Sequence, residues 1–505
     1  MHSLFEYLEK SQFQFPNKIA FVEETSEISF RELYEKSITV GCYLHNLFQN
    51  KLNNPICIVG ERGIDTLICM LGCLSSGNFY VIIDGSLPKA RMVQMISSIQ
   101  PLAVIETEDT IHDVTSEYEV INYKNIYSEL DYNQQISIIK SIMKETHGFD
   151  PAYGVFTSGS TGTPKLVVKS HQSLLEFIDI YAAMFGYSDK DILGNQFPFY
   201  FDASTKDIFC CIKCGITTHI IPKALFSFPK ELIQYIIEKN ITKIVWVPSA
   251  LTIVSNSEVF QYTGCPNKLN TVLFVGEQMP VKQLNYWKTN LPETKFYNIY
   301  GSTEVAGNFL YYEYTDVLEN TKRLPTGKPF PNVNVFLLNE NGIVNTSDVL
   351  GEICVAGNTL ALGYYRNKEL TDTVFIQNPT VFYREVIYKT GDLAYYDECG
   401  NVIWATRKDF QIKHMGYRIE LSEIDTVIGA LAGIKECCSV YDTENKRIIL
   451  YYTANCEMKK EIGLWVRAHL PKYMFPGKYI RIESLPHNAN GKIDRKSLMN
   501  TKVVS

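Results

Sequence analysis

The feature that most constrains the fold is an alternation of short β-branched runs with stretches of helical spacing. It starts with strand-like residues 56–60, helix-like residues 64–76 and strand-like residues 78–83. Further strand-like runs follow at residues 243–247, 271–275, 295–299, 333–338 and 351–355. Such alternation predicts layered α/β sub-domains, with the last two runs belonging to a smaller β-rich sub-domain.

A change of pattern near residues 406–413 predicts a domain boundary. A turn-rich stretch at residues 395–401, Tyr-Tyr-Asp-Glu-Cys-Gly-Asn, precedes it. New elements follow it: helix-like residues 422–431, strand-like residues 447–453 and helix-like residues 459–469. We therefore expect a large N-terminal α/β domain over residues 1–408 and a small C-terminal α+β domain over residues 409–505.

Composition and charge exclude several classes of protein. The net charge of −7 provides neither a basic face for nucleic acid nor a polybasic patch for a membrane surface. The N-terminus is amphipathic and acidic, without the features of a secretory signal, so we expect a cytoplasmic protein. The apolar run at residues 67–74 is far shorter than the roughly 20 residues of a membrane span.

The thirteen cysteines are scattered without a disulfide framework, and we expect free thiols. Cys210, Cys211 and Cys214 lie close together in the sequence. No second ligand pair accompanies them, and this favours packing within a helix over a metal site.

Residues 157–165, Thr-Ser-Gly-Ser-Thr-Gly-Thr-Pro-Lys, combine the properties of an anion-binding loop and follow a strand-like run at residues 153–156. Its glycines let backbone amides approach an anion, and its hydroxyls and lysine supply donors and charge. It is not a Walker A loop, because Pro164 precedes the lysine. Taken alone, the segment is also compatible with an ordinary surface loop.

This loop, with His171 downstream, resembles the nucleotide signature of the adenylate-forming superfamily, which includes acyl-CoA synthetases, luciferases and the adenylation domains of non-ribosomal peptide synthesis. Other motifs of that family recur in order, at residues 29–33, 74–81, 298–304 (Asn-Ile-Tyr-Gly-Ser-Thr-Glu), 388–392 (Tyr-Lys-Thr-Gly-Asp), 407–420, 470–476 and 488–494. Two positions depart from the family pattern: Leu166 and Thr406 stand where glycine is usual. We expect altered loop flexibility there, with the chemistry retained.

The resemblance implies ATP and Mg²⁺ as ligands and attack of a carboxylate on the α-phosphate. Glu304 would bind the metal and Asp392 the ribose hydroxyls, while Tyr300 would stack on adenine. The positions expected at the nucleotide are Thr157, Ser158, Gly159, Ser160, Thr161, Gly162, Thr163, Lys165, Gly276, Asn298, Tyr300, Gly301, Ser302, Asp392 and Arg407. The expected catalytic residues are Lys492, Thr303, Glu304, Lys413 and His171.

By the same resemblance, the small C-terminal domain is mobile and rotates about a hinge at Asp409. Lys492 would bridge the substrate carboxylate and the α-phosphate during adenylation. Rotation would then replace it with residues 413–417, and Gly416 would line the passage for a pantetheine thiol.

The stretch Pro-Phe-Tyr-Phe-Asp-Ala-Ser at residues 198–204 bears on the substrate. In amino-acid-activating relatives, the position of Asp202 binds the α-ammonium group, a sensible pairing for a buried carboxylate; its alternative role is the N-cap of a helix over residues 205–212. Motif spacing implies that the pocket is lined by Asp202, Ala203, Lys206, Ser249, Leu273, Val275, Ile299, Gly307 and Asn308. Lys206 could pair with an acidic substrate side chain, as in domains that activate glutamate, or could extend to solvent or towards the neighbourhood of Asp207.

The acceptor and the exact activity remain open between related enzymes. No Gly-x-x-Ser attachment pattern follows Lys492, and we expect a separate carrier protein with a phosphopantetheine arm, with CoA as the other acceptor. D-alanine–carrier protein ligases share several motifs, although Ala203, Lys206 and Val275 depart from their pocket. An acyl- or aryl-CoA ligase and an inactive ligand-binding regulator are the remaining alternatives.

Overall fold

The computed structural model describes residues 1–48, 51–108, 118–159, 164–320, 323–487 and 493–500. The chain divides into two compact units. The larger unit comprises Met1–Asp84, Gln100–Val155 and Leu166–Lys408. The smaller unit comprises Gly85–Ile99, Phe156–Lys165 and Asp409–Ser505. The smaller unit therefore has its longest segment beginning at the expected hinge residue, and it also includes two segments from within residues 1–408.

One sheet of the larger unit has nine strands among the described residues. Their order across the sheet is β15 (Lys328–Pro329), β14 (Leu310–Tyr314), β13 (Lys295–Tyr300), β12 (Thr271–Phe274), β11 (Lys243–Trp246), β9 (Ile192–Asn195), β10 (Thr217–Ile220), β1 (Ile19–Val22) and β2 (Glu27–Ser29). The strands from β13 to β1 are parallel. Each of the outer strands β14, β15 and β2 is antiparallel to the strand on its inner side. The carboxyl ends of β11, β12 and β13 therefore lie at one edge, where α/β proteins place ligands.

A second sheet has seven strands in the described part of the chain. Their order is β19 (Gly363–Tyr364), β8 (Lys165–Ser170), β7 (Pro151–Thr157), β4 (Phe79–Ile83), β3 (Pro55–Val59), β5 (Ala103–Glu106) and β6 (Glu119–Asn122). The strands from β7 to β6 are parallel. Every residue of β3 and β4 is buried, as expected for parallel strands covered on both faces.

A third, antiparallel sheet confirms the predicted β-rich sub-domain. Its described strands are β17 (Gly342–Ile343), β16 (Asn334–Asn339), β18 (Gly351–Ala356), β21 (Val386–Tyr396) and β20 (Phe375–Gln377), with β22 (Val402–Arg407) paired to β21. The pairing of β21 with β22 places Asp392 opposite Arg407.

The α-helices follow the predicted alternation. In chain order they are α1 (Phe5–Gln14), α2 (Phe30–Leu47), α3 (Ile64–Ser75), α4 (Lys89–Ile99), α5 (Tyr132–Glu145), α6 (His171–Met184), α7 (Ser204–Cys214), α8 (Pro229–Glu238), α9 (Pro248–Asn256), α10 (Phe260–Thr263), α11 (Val281–Asn290), α12 (Lys368–Val374), α13 (Leu421–Gly429), α14 (Lys459–His469) and α15 (Arg495–Asn500). Short 3₁₀ turns cover Tyr123–Asn125, Lys223–Ser227 and Lys472–Met474. Local sequence explains some helix starts: Ser29 and Glu32 form a reciprocal capping box at α2.

The long segment of the smaller unit has the predicted α+β composition. A hairpin joins β23 (Gln411–His414) to β24 (Tyr417–Glu420), and a three-stranded sheet contains β25 (Ile434–Asp442), β26 (Arg447–Ala454) and β27 (Lys478–Arg481). The hairpin turn has φ of 52° at Met415 and 81° at Gly416, the left-handed pair that a two-residue turn requires. Ile419, Ile424 and Ile462 are fully buried in the core between this sheet and its helices.

The strand and helix predictions are confirmed to within a few residues at each end. Cys210 and Cys211 are buried in α7, as the packing interpretation predicts, and Cys214 is half-buried. No cluster of three or more potential metal ligands from His, Cys, Asp and Glu occurs in the described ranges. Within the same ranges, no helix combines the length and apolar character that a membrane span requires.

Candidate active site

The carboxylate of Asp392, only 3% exposed, accepts hydrogen bonds from two side chains of the larger unit and forms an ion pair with a third. The Tyr300 hydroxyl donates to Oδ2, while Trp404 Nε1 lies 2.9 Å and Arg407 Nη1 3.1 Å from Oδ1. Burial and then the charge of Asp392 raise the pKa of Tyr300 well above its ordinary value. A carboxylate has about four acceptor positions, so ribose hydroxyls can still bind here. The sequence analysis missed Trp404.

The other expected nucleotide positions of the larger unit lie near the end of β13 and in adjoining loops. Asn298 Nδ2 donates to the carbonyl of Pro325 at 2.7 Å. Gly276 has a φ of 99° in the loop after β12. A Cβ atom at Gly301 would lie 2.5 Å from the carbonyl oxygen of Gly307, so this turn requires glycine at 301. The Tyr300 ring packs edge-on against Phe309, and adenine stacking stays a prediction.

Glu304 is fully buried, and its Oε1 accepts a hydrogen bond of 2.8 Å from the hydroxyl of Tyr364. Thr303 and Ser302 precede it and are half-buried. Buried Ser302 Oγ and Asn308 Oδ1 have no hydrogen-bond partner within the described part of the chain. A buried carboxylate and an unsatisfied amide oxygen fit a hard cation, and the unsatisfied Ser302 hydroxyl can donate to a phosphate oxygen.

Asp202 lies just before α7 and accepts two hydrogen bonds on Oδ1. The Tyr153 hydroxyl donates at 2.8 Å, and Lys169 Nζ donates as an ion-pair partner. The N-cap of α7 is Ala203, with no side-chain cap, so the capping role considered for Asp202 is wrong. Lys169 was not among the expected site residues.

Lys169 connects the expected substrate site with the expected metal site. Its Nζ also donates to the carbonyl of Val305, at 3.1 Å, and Val305 directly follows Glu304. Burial lowers the pKa of Lys169, and the charges of Asp202 and Glu304 oppose that shift. The charges of Asp202, expected at the α-ammonium group, and of Glu304, expected at the metal, therefore both act on the buried Lys169.

The remaining pocket positions lie on β12 and β13, in α9, and in the loops beside these elements and α7. Ser249 lies in α9 after β11, Leu273 lies in β12 with Val275 directly after that strand, and Ile299 lies in β13. Leu273, Val275 and Ile299 are buried, as is Asn308, while Ala203 and Ser249 are half-buried. Gly307 has a φ of 69°, and a Cβ atom there would overlap the Phe177 ring.

Lys206 and Asp207 are both buried in α7. Asp207 Oδ2 accepts a hydrogen bond of 2.8 Å from Asn195 Nδ2. Burial lowers the pKa of Lys206 and raises that of Asp207, because each charge is poorly solvated. Since the Lys206 side chain is only 2% exposed, the interpretation that it extends to solvent is wrong.

The environment of His171 does not fit the catalytic role expected for it. Its side chain is 2% exposed at the start of α6, and Nδ1 accepts a hydrogen bond of 3.2 Å from the backbone amide of Leu4. Burial lowers its pKa to about 4, so the ring is neutral near pH 7. We therefore correct the assignment to a packing residue that holds the N-terminal helix.

In the smaller unit, the described start of the anion-binding loop (residues 157–165) contacts β24 and the helix that follows it. Ser158 Oγ accepts from the amide of Glu420 at 3.0 Å and donates to the carbonyl of Arg418 at 2.9 Å. The amide of Gly159 donates to Glu423 Oε2 at 3.3 Å, and buried Glu423 also pairs with Arg91. Thr157 ends β7 and Lys165 begins β8, both half-buried. Ser160, Thr161, Gly162 and Thr163 lie outside the described residues, as does Lys492.

The hinge-motif residues lie at and after the start of the long segment of the smaller unit. Asp409 Oδ1 accepts from the amide of Gln411 at 3.2 Å. Lys413 is half-buried in β23, opposite Arg418 in β24. Leu166, which stands where the family usually has glycine, is accommodated locally because Gly154 on β7 leaves room for its side chain.

Two family models match the chain. The AMP-binding enzyme model matches residues 8–365, and the AMP-binding enzyme C-terminal domain model matches residues 423–492. The chain therefore belongs to the AMP-binding enzyme family, which confirms the resemblance found in its motifs.

Relatives and solved structures agree with that membership. The chain is 30% identical over 494 residues to a D-alanine–D-alanyl carrier protein ligase of Staphylococcus haemolyticus, covering 96% of both chains. It is 29% identical to Delta-poly-L-ornithine synthetase of Acinetobacter baumannii, covering 96% of this chain but 35% of that protein. It spans only 9% of Bacitracin synthase 1 from Bacillus licheniformis, at 28% identity and 98% of this chain. The fold is similar to the Vibrio cholerae adenylation domain AlmE in complex with glycyl-adenosine-5'-phosphate, with a TM-score of 0.83 at 18% identity, covering 99% and 97% of the two chains.

Proposed function

We propose that this protein is an AMP-forming ligase that activates an amino acid with ATP and transfers it to the phosphopantetheine thiol of a carrier protein. One observation carries the proposal: Lys169 lies between Asp202, the expected receptor of the α-ammonium group, and the turn that holds Glu304. An amino acid bound at Asp202 would lie near the phosphates, as attack on an α-phosphate requires.

In the first step, a substrate carboxylate oxygen attacks the α-phosphorus of ATP and the bond to pyrophosphate breaks. Asp392, held by Tyr300, Trp404 and Arg407, binds the ribose and fixes the nucleotide. Asp202 Oδ2 binds the ammonium group and orients the substrate carboxylate. Because no protein nucleophile takes part, the residues act by positioning and by balancing charge.

Glu304 would hold Mg²⁺, which when bound neutralises charge on the phosphate oxygens. Lys492 would donate to the substrate carboxylate and the α-phosphate as negative charge increases there. In the second step, the carrier thiol attacks the carbonyl of the adenylate and AMP leaves. The hinge at Asp409 would exchange Lys492 for the hairpin containing Lys413 and Gly416.

The buried ammonium of Lys206 supports an amino acid with an acidic side chain. A cation with little solvent contact gains most from a substrate carboxylate placed beside it. The relatives' names include D-alanine as a substrate, and the side chain of that small amino acid has no carboxylate to pair with Lys206.

Transfer to the carrier tests the proposal directly. The protein is incubated with ATP, Mg²⁺, amino acids and either a phosphopantetheinylated carrier or CoA. The products are then identified by intact mass spectrometry. We expect an aminoacyl adduct on the carrier, and Lys492→Ala should lose adduct while still binding ATP. Exclusive formation of an acyl-CoA from a non-amino acid would contradict the proposal.

A further inference from the structure

Lys169 is a fully buried charge near the end of a strand. It lies in β8, and its side chain has no exposed surface. The Nζ atom donates to Asp202 Oδ1 and to the carbonyl of Val305, at 3.1 Å, and lies 5.4 Å from the centre of the Tyr153 ring. Because burying an unpaired ammonium is costly, the contact with Asp202 is what makes a lysine tolerable here.

Asp202 is thus already paired before any substrate binds. Both described hydrogen bonds of its carboxylate, from Tyr153 and Lys169, fall on Oδ1, which leaves Oδ2 for a ligand. The Tyr153 hydroxyl adds a neutral donor at 2.8 Å. The charge of this carboxylate is therefore balanced by the protein itself, and Oδ2 can still accept a hydrogen bond.

Lys206 is a second buried cation, and it differs from Lys169 in its contacts. No described residue accepts a hydrogen bond from its ammonium or forms an ion pair with it. Asp207, its neighbour in sequence, hydrogen-bonds to Asn195, and the charges of Asp202 and Asp207 both favour the charged form of Lys206. An ammonium that donates to no described residue can bind an anionic group of a ligand.

Lys169 and Lys206 both interact electrostatically with the carboxylate of Asp202. The charge of Asp202 acts on both, and Lys169 disfavours the charged form of Lys206. Without Lys169, Lys206 would be a buried cation on which the charge of Asp202 still acts, and its charge would be directed to Asp202 rather than to a substrate.

We propose that Lys169 is a specificity-determining residue: as the internal counter-ion of Asp202, it keeps the Lys206 ammonium available for a side-chain carboxylate of the substrate amino acid. This inference rests on the proposed function. It assigns selection between acidic and neutral amino acids to a lysine outside the expected pocket positions.

The test measures amino-acid-dependent pyrophosphate exchange with glutamate and aspartate against glutamine and asparagine. The readout is the ratio of kcat/KM for each acid to that for its amide. In the unmodified protein we expect the acids to be preferred by on the order of ten- to a hundredfold. K206M should abolish that preference, and K169M should reduce it about tenfold or more while exchange with the amides continues.

A double variant and a matched control make the result specific. K169M/D202N removes both members of the pair, so Lys206 is again unpaired and the preference for acids should return, at lower overall activity. This variant also avoids leaving half-buried Asp202 without its Lys169 partner, should K169M be unstable. Lys243→Met is the control, because Lys243 is another buried lysine, paired with Asp191 at the start of β11; the ratio should not change in it.

The outcomes separate the inference from the proposed function. A K169M ratio equal to that of the unmodified protein, or a K169M/D202N ratio as low as that of K169M, would overturn the role of Lys169. A preference for neutral amino acids in the unmodified protein would overturn it as well. Failure of every amino acid to support exchange would instead overturn the proposed function.

Discussion

Replacing His171 with asparagine should remove a pH-dependent part of the stability. The asparagine Oδ1 can replace Nδ1 as the acceptor for the amide of Leu4, but asparagine cannot be protonated. In the folded protein, protonation of Nδ1 would place a proton against that amide, and burial lowers the pKa of His171 to about 4 from 6.5. The folded state therefore binds fewer protons than the unfolded state between these two values.

The direction and size of the effect follow from this difference. The contribution of His171 is fully present above pH 6.5 and is lost as the pH falls towards 4. Linkage gives a loss of about 2 kcal/mol between pH 7 and pH 5, approaching about 3 kcal/mol at lower pH. The smaller asparagine side chain also costs about 1–2 kcal/mol of packing, but that cost is the same at both pH values.

Urea unfolding followed by circular dichroism at pH 7 and pH 5 measures both terms. From pH 7 to pH 5, the free energy of unfolding should decrease in both proteins. We expect the decrease to be about 2 kcal/mol smaller in His171→Asn than in the unmodified protein. His2→Asn, at an exposed histidine, is the control for loss of a histidine elsewhere. The reasoning is refuted if His171→Asn keeps the full pH dependence, and the packing assignment is refuted if pyrophosphate exchange is lost in a folded variant.

Three further predictions concern the nucleotide site, the hinge and the smaller unit. Trp404→Phe removes a donor to Asp392 and should raise the KM for ATP about tenfold in exchange assays, with kcat little changed; an unchanged KM would contradict the ribose-site assignment. Asp409→Pro should preserve pyrophosphate exchange but impair thioester formation, measured as separate half-reactions, and equal loss of both would contradict a hinge. Glu423→Gln should lower the free energy of unfolding in urea by about 3 kcal/mol, because it breaks the buried ion pair between Glu423 and Arg91. Combining Arg91→Met with Glu423→Leu should restore most of that free energy, and no recovery would argue against the pair.

The periodic elements were predictable because each encodes its own pattern. The β-branched run that became β3 and the apolar spacing that became α3 depend on local burial, which alternation reveals. Asp392 and Glu304 were also expected, because their motifs are distinctive. The contacts of Asp392 were harder to predict. The position of Trp404 beside Asp392 depends on the register of β21 against β22, which includes an irregularity that the sequence does not show.

The buried lysine was missed for a different physical reason. Lys169 follows Leu166, Val167 and Val168 in β8, where a lysine after apolar residues is typical of a strand with one solvated face. Only the folded chain brings Asp202 to it from another segment. His171 shows the opposite error, because its position in a family motif suggested chemistry, while burial against Leu4 gives it a packing role.

Amino-acid-dependent exchange of labelled pyrophosphate into ATP tests the central claim most directly. The account predicts that exchange requires an amino acid, is highest with an acidic one, and is lost in Lys492→Ala although ATP still binds. Exchange that is driven by fatty or aryl acids and not by any amino acid would contradict it.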